Sequence, residues 1–87
     1  MKFETKSLHA GYEPESDHGS RAVPLYQTVA HLFRDTEHAA RIFAGEEEGH
    51  AYSRVSNPTV EVFEKRMAEL EGAEAGIATA SGMAAVF

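Results

Sequence analysis

Apolar residues recur at spacings of three and four in one long stretch of the chain. Val60, Phe63, Met67 and Leu70 make a stripe along one side of a helix. Asn57 is a good N-cap, Pro58 suits the first helical position, and Gly72 stands at the expected stop. Glu61 and Lys65, one turn apart, can pair for about 0.2–0.5 kcal/mol. A shorter helix is expected over 37–44, capped by Thr36 and stopped at Gly45. Ala39, Ala40, Ile42 and Phe43 form its apolar side. Residues 74–80 are small and apolar and read as a buried strand. Ser81-Gly82 then turns the chain, and Met83 to Phe87 begin another helix.

The remaining stretches lack such order. Residues 1 to about 22 show no sustained periodicity and are punctuated by Gly11, Pro14, Asp17, Gly19 and Ser20, so they read as an arm or loop. Residues 22–29 are β-prone in parts, but Pro24 argues against a central strand and for extended chain lying on another surface. Met1 reads as a native start. The apolar run at the far end stops in the first turns of a helix, so a truncated chain is expected.

Composition narrows the functions open to it. There are 87 residues, 43% of them hydrophobic, enough for one small domain of marginal stability. Eight basic residues face 14 acidic ones, a net charge of −6, with no basic stripe for a nucleic-acid backbone. Glu46-Glu47-Glu48 reads as a solvated run. Without cysteine there is neither disulfide nor thiolate metal site. His9, His18, His31, His38 and His50 form no metal-ligand spacing. The chain holds neither a signal-peptide core nor an apolar run of about 18 residues, and a cytoplasmic protein without membrane contact is expected.

Two constellations could carry chemistry. Ser81-Gly82 feeds a helix N-terminus, whose unpaired backbone N–H groups and partial positive charge favour an anion. No Gly-Lys-Ser/Thr follows, so it is not a P-loop, and a plain strand-to-helix turn is the simpler reading. In Tyr52-Ser53-Arg54, extended chain would put Tyr52 and Arg54 on one side. A guanidinium matches phosphate with two parallel N–H bonds. On the residues alone, a surface tyrosine beside a surface arginine accounts for the pattern.

Taken together, the motifs are familiar. Val23-Pro24-Leu25-Tyr26-Gln27-Thr28, Tyr52-Ser53-Arg54-Val55-Ser56-Asn57-Pro58-Thr59, Leu70-Glu71-Gly72 and Ala80-Ser81-Gly82-Met83-Ala84 occur in this order. The set resembles the Cys/Met-metabolism family of pyridoxal-phosphate (PLP) enzymes, over nearly the whole chain. The family includes O-acetylhomoserine and O-succinylhomoserine sulfhydrylases, methionine γ-lyase, cystathionine γ-synthase and the cystathionine lyases.

The resemblance implies an α/β fold, the N-terminal part of an aspartate-aminotransferase-like (fold type I) enzyme. Residues 1–57 would be an arm contacting a neighbouring subunit, and 58–87 the beginning of the PLP-binding large domain. It implies that Ser81, Gly82 and Met83 hold the phosphate of the chain's own PLP. Tyr52 and Arg54 would reach the phosphate in the neighbouring subunit, within a homo-oligomer built as a dimer of dimers that acts on a small amino-acid substrate. The family's Schiff-base lysine lies outside the chain, since Lys2, Lys6 and Lys65 do not stand where it belongs. No catalytic residue is therefore expected here, and the 87 residues alone are expected to be inactive.

For the parent enzyme the expected reaction is that of an O-acetylhomoserine sulfhydrylase, γ-replacement of acetate by sulfide to give homocysteine. Val23 to Thr28, Asp35-Thr36-Glu37-His38-Ala39-Ala40 and Val62 to Arg66 lean that way. Phe43-Ala44-Gly45-Glu46 and Gly49-His50 fit methionine γ-lyase about as well, and cystathionine γ-synthase or lyase activity stays open. A different class of reading is a non-catalytic, subunit-binding remnant.

Overall fold

The computed structural model describes residues 1–14 and 17–87. Four helices form among them: α1 (Phe3–His9), α2 (Thr36–Phe43), α3 (Pro58–Glu71) and α4 (Gly82–Val86). The chain gathers into two compact units, Met1–Pro24 with Thr59–Phe87, and Leu25–Pro58.

The first unit is organised on α3, which runs between the expected start and stop and carries the Glu61–Lys65 pair at 2.7 Å. Its buried side is not the apolar stripe. Val60, Phe63 and Met67 are exposed, whereas Ala68 is 8% exposed and, with Ala10, is one of two buried apolar residues among those described. The small side of α3 is the one backbone can approach. Gly11 sits there at φ +80°, so close that a Cβ would stand 2.8 Å from the Arg66 nitrogen and 2.9 Å from Lys65 Cβ. Arg66 Nε donates to the Ala10 carbonyl at 2.7 Å, tying the arm down beside it. Thr59 Oγ1 donates to the Pro24 carbonyl at 2.6 Å.

Two expectations need correction in this unit. The arm carries a helix, α1, where no periodicity announced one. Glu4 in its first turn and Lys6 and His9 in its last complement the helix dipole, but Phe3 and Leu8 both stay exposed. The segment 74–80 forms no strand. A strand exists by pairing, and no paired segment meets this one among the described residues. Instead the Ala78 N–H goes to the Glu64 carboxylate at 2.7 Å, and Gly76 packs against the Glu64 carbonyl.

The second unit holds α2 and the segments on either side of it. The helix begins at Thr36 rather than being capped by it. Asp35 is the cap, its carboxylate accepting the His38 N–H at 2.7 Å. Phe33 packs on Phe43 and His38 with centroid separations of 5.7 and 5.9 Å. Residues 45–49 fold back on α2, where a Cβ on Gly49 would stand 2.6 Å from Ile42 Cδ1. Ala30 and Tyr52 form an isolated antiparallel bridge, with His31 N–H to Ala51 at 2.9 Å and Ser53 N–H to Val29 at 2.7 Å.

Candidate functional site

Tyr52 and Arg54 do share a side, but not through extended chain. Beyond the bridge the backbone turns, and the Tyr52 carbonyl accepts from Val55 N–H at 2.9 Å and Ser56 N–H at 3.1 Å. The turn carries the Arg54 guanidinium over the Tyr52 ring, 5.1 Å from its centroid, a distance at which the ring face attracts a cation. Both side chains are exposed, and among the described residues Arg54 makes no ion pair. Its N–H edge is therefore available to an oxyanion.

Residues before and after this turn fasten it. Ser53 Oγ donates to the Thr28 carbonyl. Asn57 donates through its side-chain amide to the Tyr26 carbonyl at 2.8 Å and to Ser53 Oγ at 3.1 Å. His50 Nδ1 and Ser56 Oγ, 2.8 Å apart, close the neck.

Ser81, Gly82 and Met83 lie in the other unit, at the start of α4. Ser81 is the N-cap, its hydroxyl oxygen accepting the Ala84 N–H at 3.2 Å. The next intrahelical donor, Ala85 N–H, reaches the Ser81 carbonyl at 3.2 Å. Nothing among the described residues takes the N–H groups of Gly82 and Met83. A Cβ placed on Gly82 would meet nothing within 4 Å. Two open N–H donors, a hydroxyl proton still free to donate, and clear space at a glycine suit the oxygens of a phosphate.

The acidic run Glu46-Glu47-Glu48 was expected to be solvated, and Glu47 departs from that. It is half-buried and accepts from Arg41 Nε at 2.9 Å and Arg34 Nη2 at 3.1 Å, with His38 Nε2 at 3.8 Å. The Arg41 hydrogen bond holds its carboxyl below the ordinary value of 4.5, with partial burial opposing and the charges of His38, Arg41 and Arg34 adding. The Glu47 network and the Asn57 bonds had no local signature in the sequence. A cavity of about 370 Å³ in the first unit, lined by residues that include Gly11, Glu61, Lys65, Ala68 and Gly76, contains none of the expected phosphate ligands.

Comparison with known proteins places the chain in a family. The sequence model of the family described as Cys/Met metabolism PLP-dependent enzyme matches residues 4–87. The chain is 59% identical to the O-acetyl-L-homoserine sulfhydrylase 1 of Thermus thermophilus, over 100% of this chain and 21% of that protein. It is 51% identical to the L-methionine gamma-lyase of Pseudomonas putida, over 97% of this chain and 21% of that one. A crystal structure assigned as an O-acetylhomoserine (thiol)-lyase of Campylobacter jejuni, holding N'-pyridoxyl-lysine-5'-monophosphate, superposes with a TM-score of 0.92 at 44% identity. That match covers 98% of this chain and 21% of the crystallised one. The chain thus spans about a fifth of the length of the relatives it matches.

Proposed function

The chain belongs to the Cys/Met metabolism family of PLP-dependent enzymes, and from that premise we propose that it is the N-terminal part of an O-acetylhomoserine sulfhydrylase. Its fold is the first part of the fold type I architecture of its structural neighbours. The reaction proposed for the complete protein is replacement of the acetate of O-acetylhomoserine by sulfide, giving homocysteine. The observation that carries this choice is the 59% identity to a sulfhydrylase along the full chain. The 51% identity to a methionine gamma-lyase supports a second reading, γ-elimination from methionine.

In this proposal residues 1–57 are the arm that meets a neighbouring subunit, and 58–87 open the large domain. Gly82 and Met83 donate their N–H groups to the phosphate of PLP, and Ser81 adds its hydroxyl proton. Arg54 offers two N–H bonds and Tyr52 its phenol to the phosphate held by the neighbour. Both grips use donors that this chain leaves available. When bound, PLP supplies the electron sink for chemistry at the amino-acid substrate. The chain's own part is to hold the cofactor's anionic end, which orients it without taking part in bond changes. The enzyme would be a cytoplasmic homo-oligomer, complete as a site only where two subunits meet.

Assaying the complete protein tests the reaction. Homocysteine formed from O-acetylhomoserine and sulfide, at a kcat/KM well above turnover of methionine alone, is the expected result. The reverse ratio would move the assignment to the lyase.

A further inference from the structure

Asn57 is 6% exposed and is the buried polar residue among those described. We propose that it is a positioning residue for the Tyr52–Arg54 grip, a role that rests on the phosphate reading above. Its amide nitrogen carries two hydrogens, and both are engaged, one on the Tyr26 carbonyl at 2.8 Å and one on Ser53 Oγ at 3.1 Å. Ser53 Oγ, having accepted from Asn57, donates its own proton to the Thr28 carbonyl. The Ser53 N–H goes to the Val29 carbonyl at 2.7 Å. The residue that precedes Arg54 is thereby held by three hydrogen bonds, and every one ends on or is relayed through the single segment 26–29.

The arrangement matters because Arg54 itself is exposed. Its long side chain has many rotamers, so the direction of the fork depends on the backbone from which it leaves. The Tyr52 carbonyl closes the turn from within through Val55 and Ser56. Asn57 anchors it from outside, across 31 residues of sequence to Tyr26. Without those donors the Tyr26 carbonyl loses a partner and Ser53 becomes free to swing, and Arg54 with it. The grip on a phosphate, rather than binding of the rest of the cofactor, is what loosens.

The test uses the complete protein and two ligands, PLP and pyridoxal, which lacks the phosphate. Dissociation constants are measured for Asn57→Asp and Ser53→Ala, each alone and combined with Arg54→Ala. Asn57→Asp keeps size and removes the donor nitrogen; Ser53→Ala is the milder change and carries the test if the first variant does not fold. Arg54→Ala is expected to cut the preference for PLP over pyridoxal by about tenfold or more, the loss of a charge-assisted hydrogen bond. Asn57→Asp and Ser53→Ala should cut the same preference by a part of that factor, and should add little once Arg54 is gone. Equal weakening of both ligands, or an unchanged factor in the Arg54→Ala background, would overturn the positioning role while leaving the Arg54 reading intact. If Arg54→Ala itself leaves the preference unchanged, the phosphate reading fails, and the role of Asn57 fails with it.

Discussion

The guanidinium carbon of Arg54 stands 5.1 Å from the centre of the Tyr52 ring. At that separation the negative face of the ring attracts the cation, and Arg54 makes no ion pair among the described residues. In the proposed grip Tyr52 is therefore more than a second donor: its ring also attracts the cation beside it.

That geometry separates charge from shape in a way mutation can measure. Arg54→Lys keeps the positive charge but loses the two parallel N–H bonds, whereas Arg54→Ala loses both. In the complete protein, PLP retention after dialysis should fall in the order wild type, Lys, Ala, with the Ala variant about ten- to a hundredfold weaker in affinity. Tyr52→Phe, which keeps the ring, should retain more cofactor than Tyr52→Ala. Equal retention by all these proteins would remove the phosphate role from the turn.

The proposed sharing of a site between subunits has its own signature. An Arg54→Ala subunit mixed with a subunit lacking the Schiff-base lysine forms hybrids in which one site has both its lysine and its arginine. Activity should rise on mixing two nearly inactive proteins, toward about a quarter of wild type for random dimers, by the statistics of symmetric pairing. Absence of any rise in demonstrably mixed dimers would place Arg54 on its own chain's cofactor.

How much of this could be read beforehand depends on how local the cause was. Helix α3 was legible because Asn57-Pro58, a 14-residue body and Gly72 agree. Helix α2 was found one residue out of place, because Asp35 and Thr36 are both cap formers and the carboxylate reaches the His38 N–H. Helix α1 was invisible, since Phe3 and Leu8 share no helical face. Periodicity found the apolar stripe of α3, but it is silent on what covers a stripe, and the chain itself packs on Ala68 instead. Segment 74–80 was recognisable as apolar, but pairing is a property of two segments. Tyr52 and Arg54 are brought together by a turn where the spacing suggests extended chain. The bonds of Asn57 and Glu47 join residues remote in sequence or packed by the fold, and composition does not encode them.

Gly11 and Gly72 allow strain and contact to be told apart. Both have positive φ, +80° and +68°, but a Cβ at Gly11 meets Arg66 and Lys65 below 3 Å while one at Gly72 meets nothing within 4 Å. Gly72→Ala should cost about 1 kcal/mol, the left-handed backbone alone. Gly11→Ala adds a collision with helix backbone and should cost several kcal/mol more than strain explains, about 1–3 kcal/mol being the usual strain. Thermal midpoints of the two variants of the complete protein check this. Equal shifts would show that the arm does not lie against α3 as described.

Glu47 predicts a pH dependence with a definite sign. Its carboxyl is held below 4.5 in the folded chain, so folding favours the ionised form. The stabilisation is fully present above the ordinary carboxylate value and is lost as pH falls through the lowered one. The loop joined to α2 by Glu46 N–H and the Arg41 carbonyl should then lose amide protection below about pH 4.5, sooner at high salt. Glu47→Gln should show the weakened protection already at neutral pH and little further change on acidification. A wild-type loop whose protection stays constant from pH 6 to pH 3 would mean that Arg34 and Arg41 contribute nothing through this carboxylate.

The 87 residues on their own should behave differently from the same residues in the complete enzyme. Ala10 and Ala68 are the buried apolar residues among those described, and neither side chain is larger than a methyl group. Leu32 and Phe87 are both 98% exposed, and Val60, Phe63 and Met67 of the α3 stripe are exposed as well. So little apolar burial cannot offset the conformational entropy of ordering a chain of this length, about 1–2 kcal/mol per residue for the backbone alone. The expressed piece should therefore unfold without a cooperative transition, bind dyes that report exposed apolar surface, and associate as its concentration rises. A sharp, concentration-independent melting of a monomer by calorimetry would contradict this.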